Sequence, residues 1–154
     1  RPVHPNDDVN LGQSSNDIIP NVLHVSVAVE LLEQLRPALA HLATTLEAKA
    51  RSFAHIVKIG RTHLMDATPL TLGQEFSGYA AQVKNGIARV KMARKELYPL
   101  AQGGTAVGTG VNTHPRFAEA FAAELSHRTG LAFTPADDFR VANLCPERTA
   151  LVVR

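Results

Sequence analysis

Helical periodicity runs through residues 21–51, NVLHVSVAVELLEQLRPALAHLATTLEAKAR. The apolar residues that recur at the spacing of helix faces are Val22, Leu23, Val25, Val27, Val29, Leu31, Leu32, Leu35, Leu39, Leu42 and Leu46. Asn16 or Asp17 is a suitable N-cap for this run, and Pro20 fits a first helical turn. Pro37 removes a backbone donor inside the run, so we expect a kink or a break into two helices.

Shorter patterns lie on both sides of this run. Residues 1–15 are rich in Pro, Gly, Asn and Asp, a composition typical of a loop. Residues 56–60 form a short apolar run that ends at glycine, which indicates a strand or an extended link. Thr113 is the expected cap of a later helix over about residues 115–128, and Gly130 is expected to end it.

A second long helix is predicted to begin at Thr68-Pro69, with the threonine as its cap, and to run to about Leu97. Three glycines lie inside it: Gly73, Gly78 and Gly86. Each costs up to ~1 kcal/mol against alanine, so they favour close helix–helix contact. A helix of this length needs partners that one small domain does not supply. The sequence therefore predicts a mainly α fold, a bundle of long helices that other subunits complete.

Size and charge narrow the classes of function. The chain has 154 residues, 45% hydrophobic and 19% charged, which fits one ordinary domain or part of a larger one. The formal net charge of +2 is too small to indicate a nucleic-acid partner. The members of a modest basic cluster are Lys84, Arg89, Lys91, Arg94 and Lys95. Their helical spacing indicates a solvated helix face, so no nucleic-acid binding is expected.

Cysteine content and hydropathy bear on location. The single Cys145 excludes an internal disulfide and fits a reducing compartment, so a cytoplasmic location is expected. No apolar run approaches the ~20 residues of a membrane span, and no membrane partner is expected. The chain starts at Arg1 without a signal-peptide pattern, so we expect this start to be a cut rather than a native terminus.

Two segments have the side chains of a site for a small carboxylate. Ser14, Ser15 and Asn16 offer two hydroxyls and an amide at an expected helix start, where free N–H groups attract anions. The alternative is that Asn16 or Asp17 only caps the helix and that the two serines are only solvated loop. His63 can act as a general acid or base near neutral pH, with Arg61 and Asp66 nearby to set its surroundings. The alternative is a hydrogen-bonded structural histidine.

The remaining histidines and the glycine-rich stretch are interpreted as structural. The histidines expected on the surface or within helices are His24, His41, His55 and His127. His4 with Asp7 or Asp8 provides too few ligands for a zinc site, so no metal is expected. The loop from Gly103 to Gly110 lacks the Lys-Ser/Thr ending of a phosphate-binding loop, and tight turns explain its glycines better.

Several blocks of sequence match one family in order. They are His4-Pro5-Asn6-Asp7-Asp8-Val9-Asn10, Gln13-Ser14-Ser15-Asn16-Asp17, Lys58-Ile59-Gly60-Arg61-Thr62-His63, Asp66-Ala67, Pro69-Leu70-Thr71-Leu72-Gly73-Gln74-Glu75 and Gly103-Gly104-Thr105-Ala106-Val107-Gly108-Thr109-Gly110-Val111-Asn112-Thr113. Together they resemble the class II fumarases of the fumarase/aspartase superfamily. The resemblance covers about residues 1–139.

The resemblance implies an activity and a set of roles. It implies the reversible hydration of fumarate to (S)-malate, a step of the tricarboxylic acid cycle, with no metal or organic cofactor. His63 is implied as the active-site histidine. Ser14, Ser15, Asn16 and Thr62 are implied to bind the dicarboxylate.

The resemblance also implies a second site and an assembly. The residues implied for a second dicarboxylate site are Arg1, His4, Asn6 and Asp7. The whole enzyme is implied to be a homotetramer whose active sites are shared among three subunits.

The sequence also departs from the family pattern in two places, and these departures limit what the resemblance implies for this chain. The family's mobile loop, Gly-Ser-Ser-x-Met-Pro-x-Lys-x-Asn, carries a serine and a lysine of the active site, and this text does not occur in the chain. Residues 1–139 are therefore interpreted as an incomplete part of the central helical domain. Residues 140–154 depart from the family and contain Pro146, and they are interpreted as a divergent tail. The chain alone is expected to be inactive.

Two other functions stay open from the sequence. One is a non-catalytic segment that oligomerises or binds dicarboxylates. The other is a parent enzyme that removes ammonia from aspartate. The family resemblance implies glutamine at position 63 and Ser-Thr-Asn at positions 14–16 in such an enzyme, so His63 and Ser15 argue against it.

Overall fold

Helices make up most of the chain, and the predicted mainly α class is confirmed. The computed structural model describes residues 2–140, so the interpretation of residues 141–154 as a foreign tail falls outside the described residues. The helices and strands are α1 (Ser15–Glu30), α2 (Arg36–Ser52), β1 (Val57–Thr62), β2 (Met65–Thr71), α3 (Leu72–Ala93), β3 (Pro99–Leu100), α4 (Phe117–Thr129) and β4 (Thr134–Pro135). Two π-helical segments, Pro5–Val9 and Leu31–Leu35, and a 3-10 segment, Arg94–Leu97, complete the helical structure.

The chain divides into two compact units. The first unit takes the residues up to Leu31 together with those from Met92 onward. Its buried apolar residues come from α1, α4 and the segments around β3 and β4: Ala28, Leu31, Leu97, Leu100, Ala101, Ala122, Leu131 and Phe133. β3 and β4 pair in parallel, and the rings of Tyr98 and Phe133 meet edge to face at 5.6 Å beside them. This unit therefore has its own hydrophobic core.

The second unit runs from Leu32 to Lys91 and contains α2, the antiparallel hairpin β1–β2 and α3. Phe53, just after α2, packs edge-on against Phe76 of α3 with ring centroids 5.3 Å apart. A Cβ at Gly73 would collide with the backbone of Ala50 and Ala54, so the predicted close approach is confirmed there. A Cβ at Gly78 or Gly86 would meet nothing within 4 Å, so the described chain gives no close contact at either position.

The start of the second long helix was predicted wrongly. Thr68 and Pro69 lie in β2, and α3 begins only at Leu72. The cap is Thr71, whose hydroxyl accepts from the Gln74 N–H at 3.1 Å while the Gln74 side chain accepts from the Thr71 N–H at 2.8 Å. This reciprocal pair is a capping box, which satisfies two backbone donors at once.

Other boundaries differ by a turn or less. The N-cap of α1 is Ser14, and Pro20 lies inside the helix rather than in its first turn. Pro5–Val9 is π-helical, not loop. Near Pro37 the helical backbone changes type rather than breaking: the π-helical segment Leu31–Leu35 joins α1 to α2, and the proline occupies the first turn of α2.

The predicted end of the last helix is confirmed, but its predicted start is not. Gly130 ends α4 with φ 69°, the left-handed conformation that glycine adopts without strain. Thr113 is not the cap, because α4 begins at Phe117 after Arg116, and no side chain caps it.

The absence of a segment apolar enough to span a membrane was also predicted wrongly. Helical residues Ser15–Ser52 include a window of 18 residues with mean hydropathy 1.3, long and apolar enough for a span by composition alone. The core helix of a soluble protein meets the same criterion. Asp17, Asn21 and His24 are buried in the folded chain along this helix, a pattern typical of a core helix with polar partners.

Candidate active site

His63 lies at the tip of the β1–β2 hairpin in the second unit. Thr62 pairs with Met65, so the turn between them has only two residues, His63 and Leu64. Both have positive φ, 53° and 61°, which is the backbone of a type I′ turn. Neither is Gly or Asn, so each costs ~1–2 kcal/mol against the right-handed region. The turn holds an exposed imidazole in a strained conformation, a feature that clusters at functional sites.

An ion pair spans the same hairpin. Arg61 Nη1 lies 2.7 Å from Asp66 Oδ1, and Arg61 Nη2 donates to the Leu64 carbonyl at 3.3 Å. Both charged side chains are exposed, so the pair contributes only ~0.2–1 kcal/mol. Its effect is geometric, because one guanidinium contacts both the turn and the opposite strand. The expectation that Arg61 and Asp66 set the loop geometry around His63 has this contact in its favour.

The base of the hairpin is tied to α3 by a three-residue network. Lys58 Nζ lies 2.5 Å from Glu75 Oε2, and the Tyr79 hydroxyl donates to Glu75 Oε1 at 2.9 Å. The hydrogen bond from Lys58, and then that from Tyr79, lowers the pKa of the Glu75 carboxyl below its usual value. The same carboxylate raises the pKa of Tyr79. Glu75 therefore joins the strand that leads to His63 to the helix behind it.

Replacing Glu75 by glutamine should lower the melting temperature at neutral pH and have no effect at sufficiently low pH. A lowered carboxyl pKa in the folded state stabilises the fold above the ordinary glutamate value of ~4.3, and this stabilisation disappears as the pH falls through the lowered pKa. Thermal unfolding of both proteins between pH 7 and pH 2.5 measures the difference. A difference that stays constant over this range would contradict a role for the carboxylate charge.

Ser14, Ser15 and Asn16 lie at the start of α1 in the first unit. Ser14 is the N-cap: its hydroxyl accepts from the Asn16 N–H at 3.2 Å, and the Ser14 N–H donates to Asp17 Oδ1 at 2.9 Å. The cap is therefore Ser14 rather than Asn16 or Asp17, and this role does not prevent its hydroxyl from also donating. Ser15 and Asn16 are exposed at the helix start, where N–H groups and the helix dipole favour an anion.

The glycine-rich loop, residues 103–110, packs against this helix start. Asn16 Nδ2 donates to the Ala106 carbonyl at 2.9 Å, and Asp17 accepts from two backbone N–H groups of the loop. Gly103 and Gly108 have φ of 98° and 83°, and a Cβ at either would lie within 2.8 Å of a neighbouring atom. Tight turns and close backbone approach, as predicted, explain the glycines.

Comparison with known proteins gives this arrangement its family. A family model described as lyase matches residues 1–147. The chain belongs to the lyase family. Curated relatives include class II fumarate hydratases from Methylorubrum extorquens, 62% identical over 137 residues, and from Neisseria meningitidis, 58% identical over 136 residues. The matches take in 89% and 88% of this chain but only 29% of each relative.

Solved structures of lyase relatives have the same fold. A class II fumarase from Schistosoma mansoni superposes with a TM-score of 0.87 at 41% identity, over 91% of this chain and 32% of that one. A fumarate lyase:delta crystallin from Brucella melitensis, in a crystal structure bound to cobalt, gives 0.86 at 36% identity, over 95% of this chain and 32% of that one. This lyase chain thus spans about a third of the length of the proteins it matches.

The candidate residues for a second dicarboxylate site in this lyase chain lie at the start of the π-helical segment Pro5–Val9. His4 caps that π-helical segment: its Nδ1 accepts from the N–H groups of Asn6 and Asp7, each at 3.3 Å. The Asp7 carboxylate lies 3.7 Å from the same nitrogen. His4, Asn6 and Asp7 thus lie together on an exposed turn, while Arg1 lies outside the described residues.

No group of three or more His, Cys, Asp or Glu side chains in residues 2–140 is arranged to hold a metal ion. His24 was expected on the surface or within a helix, and it lies in α1 but is buried, with Nδ1 3.2 Å from the Pro99 carbonyl oxygen. His41, His55 and His127 are exposed, as expected.

Three polar side chains are buried although the sequence did not lead us to expect it. Asp17 was interpreted only as a possible cap, and Asn21 and Gln102 were not considered. Asn21 Nδ2 donates to Gln102 Oε1 at 2.7 Å, and Asn21 Oδ1 accepts from the Ala101 N–H at 2.8 Å. The signal was present in the sequence: positions 17, 21, 24 and 28 form one helical face, and three of them are polar within an apolar helix. A buried polar stripe indicates partners elsewhere in the fold.

Proposed function

We propose that the protein carrying this sequence catalyses the reversible hydration of fumarate to (S)-malate. The observation that carries the proposal is the exposed imidazole of His63 on a strained two-residue turn, in a lyase chain whose curated relatives carry the name fumarate hydratase. A strained backbone at a proton-transfer group is costly to keep without a function.

The chemistry needs a proton-transfer group and a site for two carboxylates. In the dehydration direction, a base takes a proton from the carbon next to one carboxylate of malate, and negative charge builds on that carboxylate. The C–O bond to the hydroxyl then breaks as an acid donates a proton to that oxygen, so that it leaves as water. His63 serves in the acid/base set that handles the water. Ser14, Ser15, Asn16 and Thr62 bind the dicarboxylate and offset the developing charge with hydroxyl and amide donors. No step requires a cofactor.

The assembly that we propose is a homotetramer in the cytoplasm, acting in the tricarboxylic acid cycle. Support for further subunits comes from large apolar side chains that are exposed in the second unit: Leu42, Val57, Ile59, Met65 and Tyr79. Exposed apolar surface of this kind marks contact sites with other chains. Residues 1–139 would then be part of the central helical domain. His4, Asn6 and Asp7, with Arg1, would form a second dicarboxylate site.

A non-catalytic role remains the second candidate for residues 1–154 taken alone. The family's serine loop is not in this sequence, so a segment that oligomerises or binds dicarboxylates without turnover fits what is present. An aspartate ammonia lyase is the less favoured parent activity, since position 63 is histidine.

A substrate comparison tests the proposal. The protein, expressed from its gene with whatever sequence flanks these residues, should interconvert fumarate and malate, followed by fumarate absorbance. It should release no ammonia from aspartate. Ammonia release, or activity on neither substrate, would overturn the proposed function. The second outcome would favour the non-catalytic candidate.

A further inference from the structure

The carboxylate of Asp17, in the first turn of α1, is fully buried in the first unit. Its Oδ1 accepts from the Ser14 N–H at 2.9 Å. Its Oδ2 accepts from the N–H groups of Thr105 at 2.9 Å and Gly103 at 3.4 Å. One side chain thus joins the segment Ser14–Asn16 to the glycine-rich loop, residues far apart in sequence.

Helix capping does not explain this arrangement. A capping box needs only the contact with the Ser14 N–H, and a glutamine or asparagine side chain could make it without burying a charge. Burial of a carboxylate is costly unless its oxygens receive several hydrogen bonds. Oδ2 accepts hydrogen bonds only from the glycine-rich loop. A buried charge at this position is therefore explained by the link between the start of α1 and that loop, and not by helix capping.

A second contact crosses between the same segments. Asn16 Nδ2 donates to the Ala106 carbonyl at 2.9 Å, one residue after the Thr105 N–H that Asp17 holds. An amide nitrogen has two hydrogens, so this bond uses one of them and fixes the direction of the other. The orientation of Asn16 therefore depends on where the glycine-rich loop lies, and Asp17 sets that.

We propose that Asp17 is a positioning residue for the dicarboxylate site. It holds the glycine-rich loop against the start of α1, and it thereby keeps the donors of Ser14–Asn16 in the geometry that an anionic substrate requires. Donors fixed before binding lose little entropy on binding, which strengthens substrate affinity. This inference rests on the proposed function and names a residue that controls substrate affinity at that same site.

Replacing Asp17 by asparagine in the whole protein tests the inference. Asparagine keeps only one acceptor oxygen. Its NH₂ group must therefore face N–H donors either at Ser14 or on the glycine-rich loop. We expect the KM for fumarate and malate to rise about tenfold or more, the loss of one charged hydrogen bond, with a smaller change in kcat. An unchanged KM would overturn the inference. Should this variant fail to fold, Asp17→Glu, which displaces the carboxylate by one methylene, is expected to raise the KM and overturns the inference if it does not.

Asn21→Ala is the matched control. Asn21 is buried one turn further along α1 and bonds directly to Ala101 and Gln102. It reaches Gln13 and Gly104 only through a second hydrogen bond, from Gln102 and to the Ala101 carbonyl, and it makes no direct bond to Ser14–Asn16 or to residues 103–110. Its loss should lower the melting temperature at least as much as Asp17→Asn does, because buried amide partners are left unpaired, and leave the KM within about twofold, because the direct bonds of Asp17 to Ser14, Gly103 and Thr105 stay in place. An equal rise in KM in both variants would reduce Asp17 to a structural role and overturn the inference.

Hydrogen exchange separates this inference from the proposed function. Exchange at the Ser14 and Thr105 amides should accelerate together in Asp17→Asn and not in Asn21→Ala, whatever the enzyme's activity. If exchange at these two amides does not accelerate in Asp17→Asn, Asp17 does not link the start of α1 to the glycine-rich loop, and the inference is wrong. If the wild-type protein does not hydrate fumarate, the proposed function fails and the positioning role fails with it. An active wild type with an unchanged KM in Asp17→Asn removes only the inference.

Discussion

Replacing His63 by asparagine should reduce kcat for fumarate hydration by a factor of about 10² to 10⁴, the usual contribution of a general acid or base. Asparagine is the informative choice because His63 has φ 53°, a conformation that asparagine tolerates better than most residues. The substitution therefore removes the imidazole without adding strain to the turn, and the melting temperature should barely change. Steady-state rates at saturating fumarate and thermal unfolding measure the two effects.

The neighbouring turn residue provides the control. Leu64 also has positive φ, and its side chain is 95% exposed, so Leu64→Asn makes a similar change of backbone preference without removing a titratable group. We expect that variant to keep kcat within about threefold, because it leaves the imidazole of His63 in place and changes a side chain that is almost fully exposed. Equal losses in both variants would show that the turn conformation, rather than the imidazole, limits turnover. Near-normal turnover in His63→Asn would remove the residue from the acid/base set.

Periodicity predicted the extent of the helices better than the face that they bury. Of the valines and leucines that recur over residues 21–51 only Leu31 is buried, whereas Asp17, Asn21 and His24 of α1 are buried. The end of α4 at Gly130 was predicted from local backbone chemistry alone and is confirmed. The break predicted at Pro37 is instead a π-helical segment within a continuous helical backbone. Thr68-Pro69 misled because threonine followed by proline is typical of a helix start. In the structure, Pro69 pairs with Ile59 in a hairpin of two strands, where each strand has an open edge that tolerates proline.

The sequence named candidate site residues, but it did not predict the hydrogen bonds that hold them in place. His63 and the segment Ser14–Asn16 were identified by side-chain type, which is visible in the sequence. Asp17 was interpreted only as a possible cap, because its bonds to Gly103 and Thr105 join residues more than 80 positions apart. Such long-range hydrogen bonds have no local signature. The polar stripe along α1 indicates that a partner exists, but not which one.

The glycines of α3 should respond in opposite directions to the same substitution. Gly73→Ala places a methyl group against the Ala50 carbonyl and within 2.8 Å of Ala54 Cα, and backbone atoms cannot move aside as a flexible side chain can. We expect a loss of ~1–3 kcal/mol in the free energy of unfolding, the usual cost of overpacking. Gly78→Ala meets nothing within 4 Å and should gain up to ~1 kcal/mol from helix propensity. Denaturant unfolding of both variants measures the difference in sign.

Gly78 also tests whether the long helix packs against other subunits. If α3 contacts only its own chain at this position, Gly78→Ala stabilises the assembled protein as well as the separated chain. If the proposed homotetramer brings another helix close to Gly78, the added methyl group destabilises the assembly, and the loss depends on protein concentration because association contributes to stability. Gly73→Ala should be destabilising at every concentration, since its collision lies within one unit. A destabilisation by Gly78→Ala that disappears on dilution would support the sequence-based prediction that the glycines of this helix serve helix–helix contact, with the contact made between chains.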